Sequence, residues 1–259
     1  MTADGQLHTQ KPNHRLWVIV PAAGIGSRMQ ADRPKQYLPL GQGYVADYTL
    51  SLLHQALPDS QILVPLHHQD QWWPTLDCAT AHWLETLPGG QERAHSVRNA
   101  LETLTGRAQD NDWVLVHDIA RPCVSVGDIH HLIATLAQHP VGGLLAAPVA
   151  DTMKRAQGDQ QVTETVSRDG LWHALTPQMF RYGLLKQALN QAEASHQTIT
   201  DEASAIEALG LTPRLVTGSR FNLKITHPED LTLAEYILAA RSQQALKAQQ
   251  ASAPSPIDS

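Results

Sequence analysis

A glycine-rich segment with two nearby cations is the first feature of this sequence that could take part in chemistry. The run from Pro21 to Gly24 continues through Gly26 to Arg28, and Lys35 follows seven residues later. Small residues let backbone N–H groups approach a phosphate, and the positive end of a following helix attracts it. The segment therefore predicts a phosphate-binding loop that carries its own arginine. The alternative is a tight strand-to-helix turn with two solvated cations.

The spacing of this loop excludes two common nucleotide-binding motifs. The dinucleotide-binding fingerprint requires a third glycine at the position that Met29 occupies. The P-loop requires Gly-Lys-Ser/Thr at a spacing that this segment lacks. An NAD-linked dehydrogenase is therefore contradicted at Met29.

Asp118 lies at a position where the sequence predicts a ligand site. It follows the apolar run Val114–Val116, and doubly wound folds bind ligands at the carboxyl ends of such strands. Its oxygen atoms suit Mg²⁺, which uses few protein carboxylates and keeps several waters. A structural ion pair between Asp118 and Arg121 is an alternative that is compatible with metal binding. The fourteen histidines form no HExxH or Cys/His cluster, so we expect no zinc site.

Short apolar runs alternate with helical patterns along the chain. This alternation predicts an α/β fold with a Rossmann-like, mostly parallel sheet and helices on both faces. The predicted strands cover residues 16–20, 62–64, 114–116, 144–147 and 221–226. The predicted helices cover residues 94–104, 129–136, 182–194 and 201–209, and a final helix opens at Pro228.

The stretch from about residue 149 to residue 174 interrupts this rhythm. It is polar, has Gly158-Asp159 at a turn, and alternates in Val162–Val166, which predicts a projecting β-hairpin arm. Because an isolated two-stranded arm is marginal in water, we expect it to pack against a second subunit of a homodimer. Farther along, Lys224 lies in the predicted strand 221–226 and points opposite to Leu223 and Ile225.

Composition and charge set the class of protein. The 259 residues, 42% of them apolar, fit one domain over residues 15–242, between a disordered extension (1–14) and a disordered tail (243–259). The net charge is −6 and the 19 lysines and arginines are scattered, so nucleic acid is not an expected partner. Residues 1–14 contain no apolar segment of a signal peptide, and no apolar run reaches membrane-spanning length. We therefore expect a cytoplasmic protein without a membrane partner.

The order and spacing of seven segments resemble the 2-C-methyl-D-erythritol 4-phosphate cytidylyltransferase family. The resemblance extends from about Leu16 to Tyr236. The segments are residues 20–38, 89–97, 114–122, 147–154, 168–178, 200–204 and 222–226. The resemblance implies transfer of CMP from CTP to 2-C-methyl-D-erythritol 4-phosphate, a step of the non-mevalonate pathway to isoprenoid precursors, with Mg²⁺ as cofactor. Ribitol 5-phosphate is an alternative acceptor, and a non-catalytic nucleotide-binding module is an alternative function.

The resemblance also implies a role for each site residue. The implied catalytic residues are Arg28, Lys35, Arg168 and Lys224. The implied CTP-binding residues are Pro21, Ala22, Ala23, Gly24, Gly26, Gly90, Ser96 and Asp118, of which Asp118 is also the metal ligand. The implied acceptor-binding residues are Arg121, Thr152, Arg168, Thr176, Thr200 and Lys224.

Some of these residues also have simpler interpretations. Without the resemblance, Gly89-Gly90 indicates a turn, Ser96 a surface hydroxyl and Arg168 a solvated hairpin charge. Thr200 is also a predicted N-cap of the helix that follows it. Gln91 stands where many relatives carry an acidic residue, which leaves its nucleotide contact open.

Overall fold

The computed structural model describes residues 14–24 and 31–252. Its strands are β1 (Leu16–Ile19), β2 (Pro39–Leu40), β3 (Gly43–Tyr44), β4 (Ile62–Leu66), β5 (Leu84–Pro88), β6 (Trp113–Val116), β7 (Gly142–Pro148), β8 (Met153–Ala156), β9 (Val162–Val166), β10 (Trp172–Arg181) and β11 (Arg214–Thr217). Its α-helices are α1 (Val45–Ala56), α2 (Arg93–Thr103), α3 (Val126–Leu136), α4 (Tyr182–Ala194), α5 (Glu202–Ala208) and α6 (Pro228–Ser252).

Seven of these strands form one central sheet in the order β11-β7-β10-β6-β1-β4-β5. All neighbouring pairs in it are parallel except those of β10, which runs antiparallel to both β6 and β7. Strands β1, β4, β6 and β7 are almost fully buried, as expected of strands covered on both faces. The predicted α/β fold with a mostly parallel sheet is confirmed.

Helices cover both faces of the sheet because alternate strand residues point to opposite sides. Val18 and Leu115 pack on one face with α1 and α3, whereas Ile19 and Val116 pack on the other with α2, α4 and α5. All four side chains are 0% exposed, and the burial of each one stabilises the folded state by about 1.5–3 kcal/mol. The two layers hold the strand ends in fixed positions.

Helix α6 closes one side of the carboxyl edge of the sheet. Its Ala234 and Ile237 pack against Leu40, Cys123 and Ile225 in a third apolar cluster. The helix begins at Pro228 with acidic residues in its first turn, as predicted. None of the helices in the described part of the chain is long and apolar enough to cross a membrane.

The predicted hairpin arm is present in the described chain. β8 and β9 pair antiparallel, from Met153 opposite Val166 to Ala156 opposite Val162. The base of the arm runs into the central sheet, because β10 pairs Trp172 with Pro148 before it reaches β6. The expected dimerisation through this arm stays a prediction.

Two boundaries differ from the prediction. Residues 221–226 do not form a strand, because their backbone is held by side chains and a loop carbonyl instead of a neighbouring strand; the edge strand is β11. Helix α6 continues through residues 243–252, where we expected a disordered tail. The rest of that tail, and residues 1–13 of the expected N-terminal extension, lie outside the described residues.

Candidate active site

A cleft of about 320 Å³ lies at the carboxyl ends of β1, β5 and β6. Because these strands are parallel, the segments that follow them meet at one edge of the sheet, where such folds bind ligands. Of the residues predicted for the site, the cleft brings together Pro21, Ala23, Gly24, Lys35, Gly90, Ser96, Asp118 and Lys224. Gln91 also lines the cleft.

The described part of the predicted phosphate-binding loop is held by the side chain of Gln36. Its Nε2 donates hydrogen bonds to the carbonyl oxygens of Ala22, at 2.8 Å, and Gly24, at 3.2 Å. Ala22 itself is 2% exposed and packs into the core, so its backbone rather than its side chain shapes the loop. The predicted loop residues Gly26 and Arg28 lie outside the described residues.

The Gly89-Gly90 pair packs more closely than an ordinary turn. A Cβ atom on Gly89 would lie 2.5 Å from the Cβ of Ala23, and one on Gly90 would collide with His95. The backbone N–H of Gly90 donates to Ser96 Oγ at 3.0 Å. Ser96 is buried, so its interpretation as a surface hydroxyl is wrong. The pair therefore brings α2 against the phosphate loop.

Asp118 is surrounded by three cations. Its Oδ1 accepts from Arg93 Nε at 2.8 Å, and its Oδ2 lies 2.9 Å from Lys224 Nζ and 3.5 Å from Arg121 Nε. Burial alone would raise the pKa of this carboxyl, but the three cations hold it well below its usual range. The ion pair between Asp118 and Arg121 is therefore present, and Asp118 is ionised near neutral pH.

Arg93 is a functional candidate that the sequence did not single out. It lines the cleft, and its Nη1 and Nη2 donate to Glu202 Oε1 and Oε2 at 2.6 and 3.0 Å. Burial alone would lower the pKa of Arg93, but the carboxylates of Glu202 and Asp118 raise it. The only signal in the sequence was that Arg93 lies within the matching segment 89–97. Glu202, 109 residues away, gave no sign of the pairing.

The two predicted catalytic lysines reach the cleft through one segment. Lys35 Nζ donates to the carbonyl oxygen of Ile225 at 2.9 Å, and Lys224 is the preceding residue. The backbone N–H of Ile225 donates to Ala120 O at 2.8 Å, which ties the segment to the loop after β6. Asn222 Nδ2 donates to Thr176 O at 2.7 Å and anchors the other end. The segment that carries Lys224 and contacts Lys35 is thus held at the cleft by these hydrogen bonds and not by pairing with a neighbouring strand.

Thr176 and Arg121 lie behind Asp118 and do not line the cleft in the single chain. Thr176 Oγ1 accepts from the backbone N–H of Asp118 at 3.1 Å and is 3.0 Å from His117 Nδ1. His117 Nε2 is 3.2 Å from the carbonyl oxygen of Arg121, which can only accept. We therefore assign the proton to Nε2, and Thr176 donates to Nδ1. This network fixes the turn that presents Asp118.

The stability of the protein is expected to depend on pH through His117. Complete burial lowers the pKa of this imidazole to about 4, from 6.5. Between these values the unfolded chain binds the proton and the folded chain does not, so stability is fully present above pH 6.5 and falls as the pH falls toward 4. We expect a loss of up to about 3 kcal/mol, measured by urea denaturation across this range.

A matched pair of variants isolates this effect. His117→Gln is expected to remove most of the dependence between pH 6.5 and 5, whereas the exposed His131→Gln is expected to keep it. An unchanged slope in His117→Gln would assign the pH dependence to other groups.

Three predicted acceptor-binding residues are exposed and do not line the cleft of a single chain. Thr152 and Arg168 lie on the arm, and Arg168 Nη1 donates to the carbonyl oxygen of Ala150. Thr200 Oγ1 donates to Ser204 Oγ at 3.3 Å. The N-cap of α5 is Asp201, whose carboxylate accepts from the Ser204 N–H at 2.9 Å. The prediction of Thr200 as the cap is wrong by one residue.

Asp118 is one carboxylate, so a metal at this position would need further ligands from elsewhere. Among residues 14–24 and 31–252, no group of three or more His, Cys, Asp or Glu side chains is arranged to hold a metal. Asp118 Oδ1 accepts one hydrogen bond, from Arg93, and keeps a second lone pair. One carboxylate together with substrate phosphates is the usual protein environment of Mg²⁺. Asp118 is therefore compatible with a metal that is also bound by phosphate, and its role as a metal ligand stays a prediction.

The 2-C-methyl-D-erythritol 4-phosphate cytidylyltransferase family model (IspD) matches residues 16–240, which include every strand of the described sheet. The chain belongs to this family.

Curated relatives and solved structures agree with the family. The 2-C-methyl-D-erythritol 4-phosphate cytidylyltransferase of Hahella chejuensis is 53% identical over 225 residues, which are 87% of this chain and 93% of the relative. That of Pseudomonas aeruginosa strain PAO1 is 50% identical over 217 residues, covering 83% and 93%. The crystal structure of the Francisella tularensis cytidylyltransferase superposes with a TM-score of 0.75 at 36% identity, covering 86% of this chain and 99% of that one.

Proposed function

We propose that the chain transfers CMP from CTP to 2-C-methyl-D-erythritol 4-phosphate, giving 4-diphosphocytidyl-2-C-methyl-D-erythritol and pyrophosphate. The observation that carries this proposal is the cleft itself. It joins a phosphate loop, a close-packed glycine turn and the lysines Lys35 and Lys224 at the carboxyl edge of the sheet. The choice of CTP and of the acceptor is supported by the family description and by the names of relatives.

The reaction is an in-line displacement at the α-phosphorus of CTP. An oxygen of the acceptor phosphate forms the new bond to phosphorus, and the bond from phosphorus to the bridging α–β oxygen breaks as pyrophosphate leaves. Two unit charges about 4 Å apart repel by roughly 4 kcal/mol at an effective dielectric constant near 20. Because the attacking phosphate is already ionised near neutral pH, cations are needed more than a general base.

The lysines of the cleft, together with the arginine of the predicted phosphate-binding loop, meet this need. Lys35 and Arg28 stabilise the charge that develops at the α-phosphate, and Lys224 orients the acceptor phosphate. The backbone of residues 21–26 binds the triphosphate, while Gly90 and Ser96 shape the nucleotide side of the cleft. Asp118 would hold Mg²⁺, which would supply positive charge to offset the negative charge of the CTP phosphates. No covalent enzyme intermediate is part of this mechanism.

The proposal includes a homodimer in which the arm completes the partner's site. Met153, Val162, Leu171 and Trp172 are apolar and between 37% and 61% exposed on or beside the arm, which supports contact with a second subunit. Thr152 and Arg168 then reach the acceptor bound by the other protomer. Arg121, Thr176 and Thr200 keep their proposed role on the acceptor side of the site. A cytoplasmic location is also part of the proposal.

The dimer is expected to appear in solution as a particle of twice the 28.4 kDa chain mass. Static light scattering on the purified protein measures this mass. A charge-introducing variant on the arm, Val162→Glu, is expected to shift the mass toward the monomer and to lower activity together. A fully active monomer would contradict the shared site.

The proposed reaction is tested by pyrophosphate release from CTP and 2-C-methyl-D-erythritol 4-phosphate with Mg²⁺. Parallel reactions replace the acceptor with ribitol 5-phosphate, replace CTP with ATP, or add EDTA. Release only in the complete reaction is the expected result. Release only with ribitol 5-phosphate would keep the mechanism and change the acceptor, and no release from folded protein would favour a nucleotide-binding module.

A further inference from the structure

We propose that Glu202 is a positioning residue for this reaction, and that it acts through Arg93 on Asp118 and Lys224. The proposal rests on the proposed function of the cleft. The chain of contacts is continuous: Glu202 binds both Nη atoms of Arg93, Arg93 Nε binds Asp118 Oδ1, and Asp118 Oδ2 binds Lys224. Glu202 is 1% exposed and does not line the cleft, so it acts at a distance.

The geometry of the arginine makes this chain directional. A guanidinium group is planar, and a bidentate carboxylate on both Nη atoms fixes the plane and the direction of the fork. With Glu202 on that edge, only the Nε edge of Arg93 faces Asp118, at 2.8 Å. Glu202 therefore determines which edge of Arg93 meets the aspartate, and it leaves Asp118 Oδ2 to Lys224.

The backbone of Glu202 is itself anchored to the central sheet. Gln178 on β10 donates from Nε2 to Asp201 Oδ2 and accepts at Oε1 from the backbone N–H of Ala203, both at 2.9 Å. The side chain of Gln178 is buried. The start of α5 is thus a fixed support, as a residue that orients others requires.

The charges explain what removal of Glu202 would do. Arg93, Arg121 and Lys224 are positive and Asp118 and Glu202 are negative, so the cluster is close to balance around Asp118. Without Glu202, the free fork of Arg93 turns toward Asp118 and competes with Lys224 for its oxygens. Lys224 then loses the orientation that the acceptor phosphate requires.

Glu202→Gln tests this proposal because glutamine keeps the shape and removes the charge. We expect kcat to fall about 10- to 100-fold, as for a small misplacement of a reacting group, while the Kd for CTP measured without acceptor stays near the wild-type value. Calorimetric unfolding in parallel counts the folded fraction. The matched control is Glu85→Gln, which breaks the exposed bidentate pair of Glu85 with Arg107, at 2.8 Å for both bonds, and is expected to keep wild-type kcat.

Glu202→Asp keeps the test valid if the glutamine variant does not fold. Aspartate retains the charge but is one methylene shorter, so we expect a folded enzyme with kcat between those of wild type and Glu202→Gln. A normal kcat per folded molecule in either variant, even with a lowered unfolding temperature, would make the Arg93–Glu202 pair structural only and overturn the proposal. Inactivity of the wild-type enzyme in the same assay would instead refute the proposed function.

Discussion

Replacing Lys35 with methionine is expected to lower kcat for CMP transfer by at least about 10²-fold, the usual cost of losing one transition-state donor. Methionine keeps the apolar stem of the side chain and removes the ammonium group. Lys35 lines the cleft beside the loop that is proposed to bind the triphosphate, so we expect its charge to act mainly on the α-phosphate as pyrophosphate leaves. CTP binding, measured by calorimetry, is expected to persist because the loop backbone remains.

The matched control is Lys186→Met. Lys186 lies on α4 away from the cleft, where its Nζ donates to Thr105 and pairs with Glu102. It is expected to keep wild-type turnover, whereas near-normal turnover in Lys35→Met would remove Lys35 from the mechanism. The same loss is expected for Arg28→Ala, on the basis of its position in the phosphate-loop sequence.

Asp118→Asn is expected to damage stability and activity together. Removing this carboxylate leaves Lys224, Arg121 and Arg93 facing one another around a neutral amide, and breaking such a buried pair costs about 3–5 kcal/mol. We also expect kcat/KM to fall by about 10²-fold or more, because the groups that Asp118 orients lose their geometry. Urea denaturation and the pyrophosphate assay measure the two effects.

The pKa of Asp118 determines how the loss of stability in Asp118→Asn changes with pH. The folded pKa of Asp118 lies well below its unfolded value near 3.9, so its contribution is present above about pH 4 and declines as the pH falls further. The stability gap between wild type and Asp118→Asn is therefore expected to be full at pH 7 and smaller at pH 3. The exposed Asp59→Asn, in the turn after α1, is the control. An equal gap at both pH values would show that packing, not charge, causes the loss.

The sheet was predictable because its central strands are covered on both faces. Such strands are continuous apolar runs, and those at residues 16–20, 62–64, 114–116 and 144–147 correspond to β1, β4, β6 and β7. Once these strands are parallel, the positions of Pro21 and Asp118 at one edge follow from chain order, because each lies two residues after the end of its strand. Predicting that part of the site therefore required only the hydrophobic pattern of the strands and the usual handedness of their connections.

The remaining contacts of the site required three-dimensional structure. Glu202 and Arg93 are far apart in sequence, and an acidic residue at the start of a helix is adequately explained by the helix itself. The alternation around Lys224 resembles a strand, yet this segment is held by Asn222 and by the carbonyl oxygen of Ala120. Such side-chain and loop contacts leave no periodic signal, so the alternation of this segment predicted a strand that is not present.

The order of strands in the sheet has a consequence for synthesis of the chain on the ribosome. β1 lies between β4 and β6, and its Val18 pairs with Leu115, which is added 97 residues later. At about 5–20 residues per second, one edge of this apolar strand waits roughly 5–20 s for its neighbour. β6 in turn needs β10, which is completed only at Arg181. The nascent chain therefore presents unpaired apolar strand edges for many seconds, so its yield is expected to depend on chaperones and on the pace of translation.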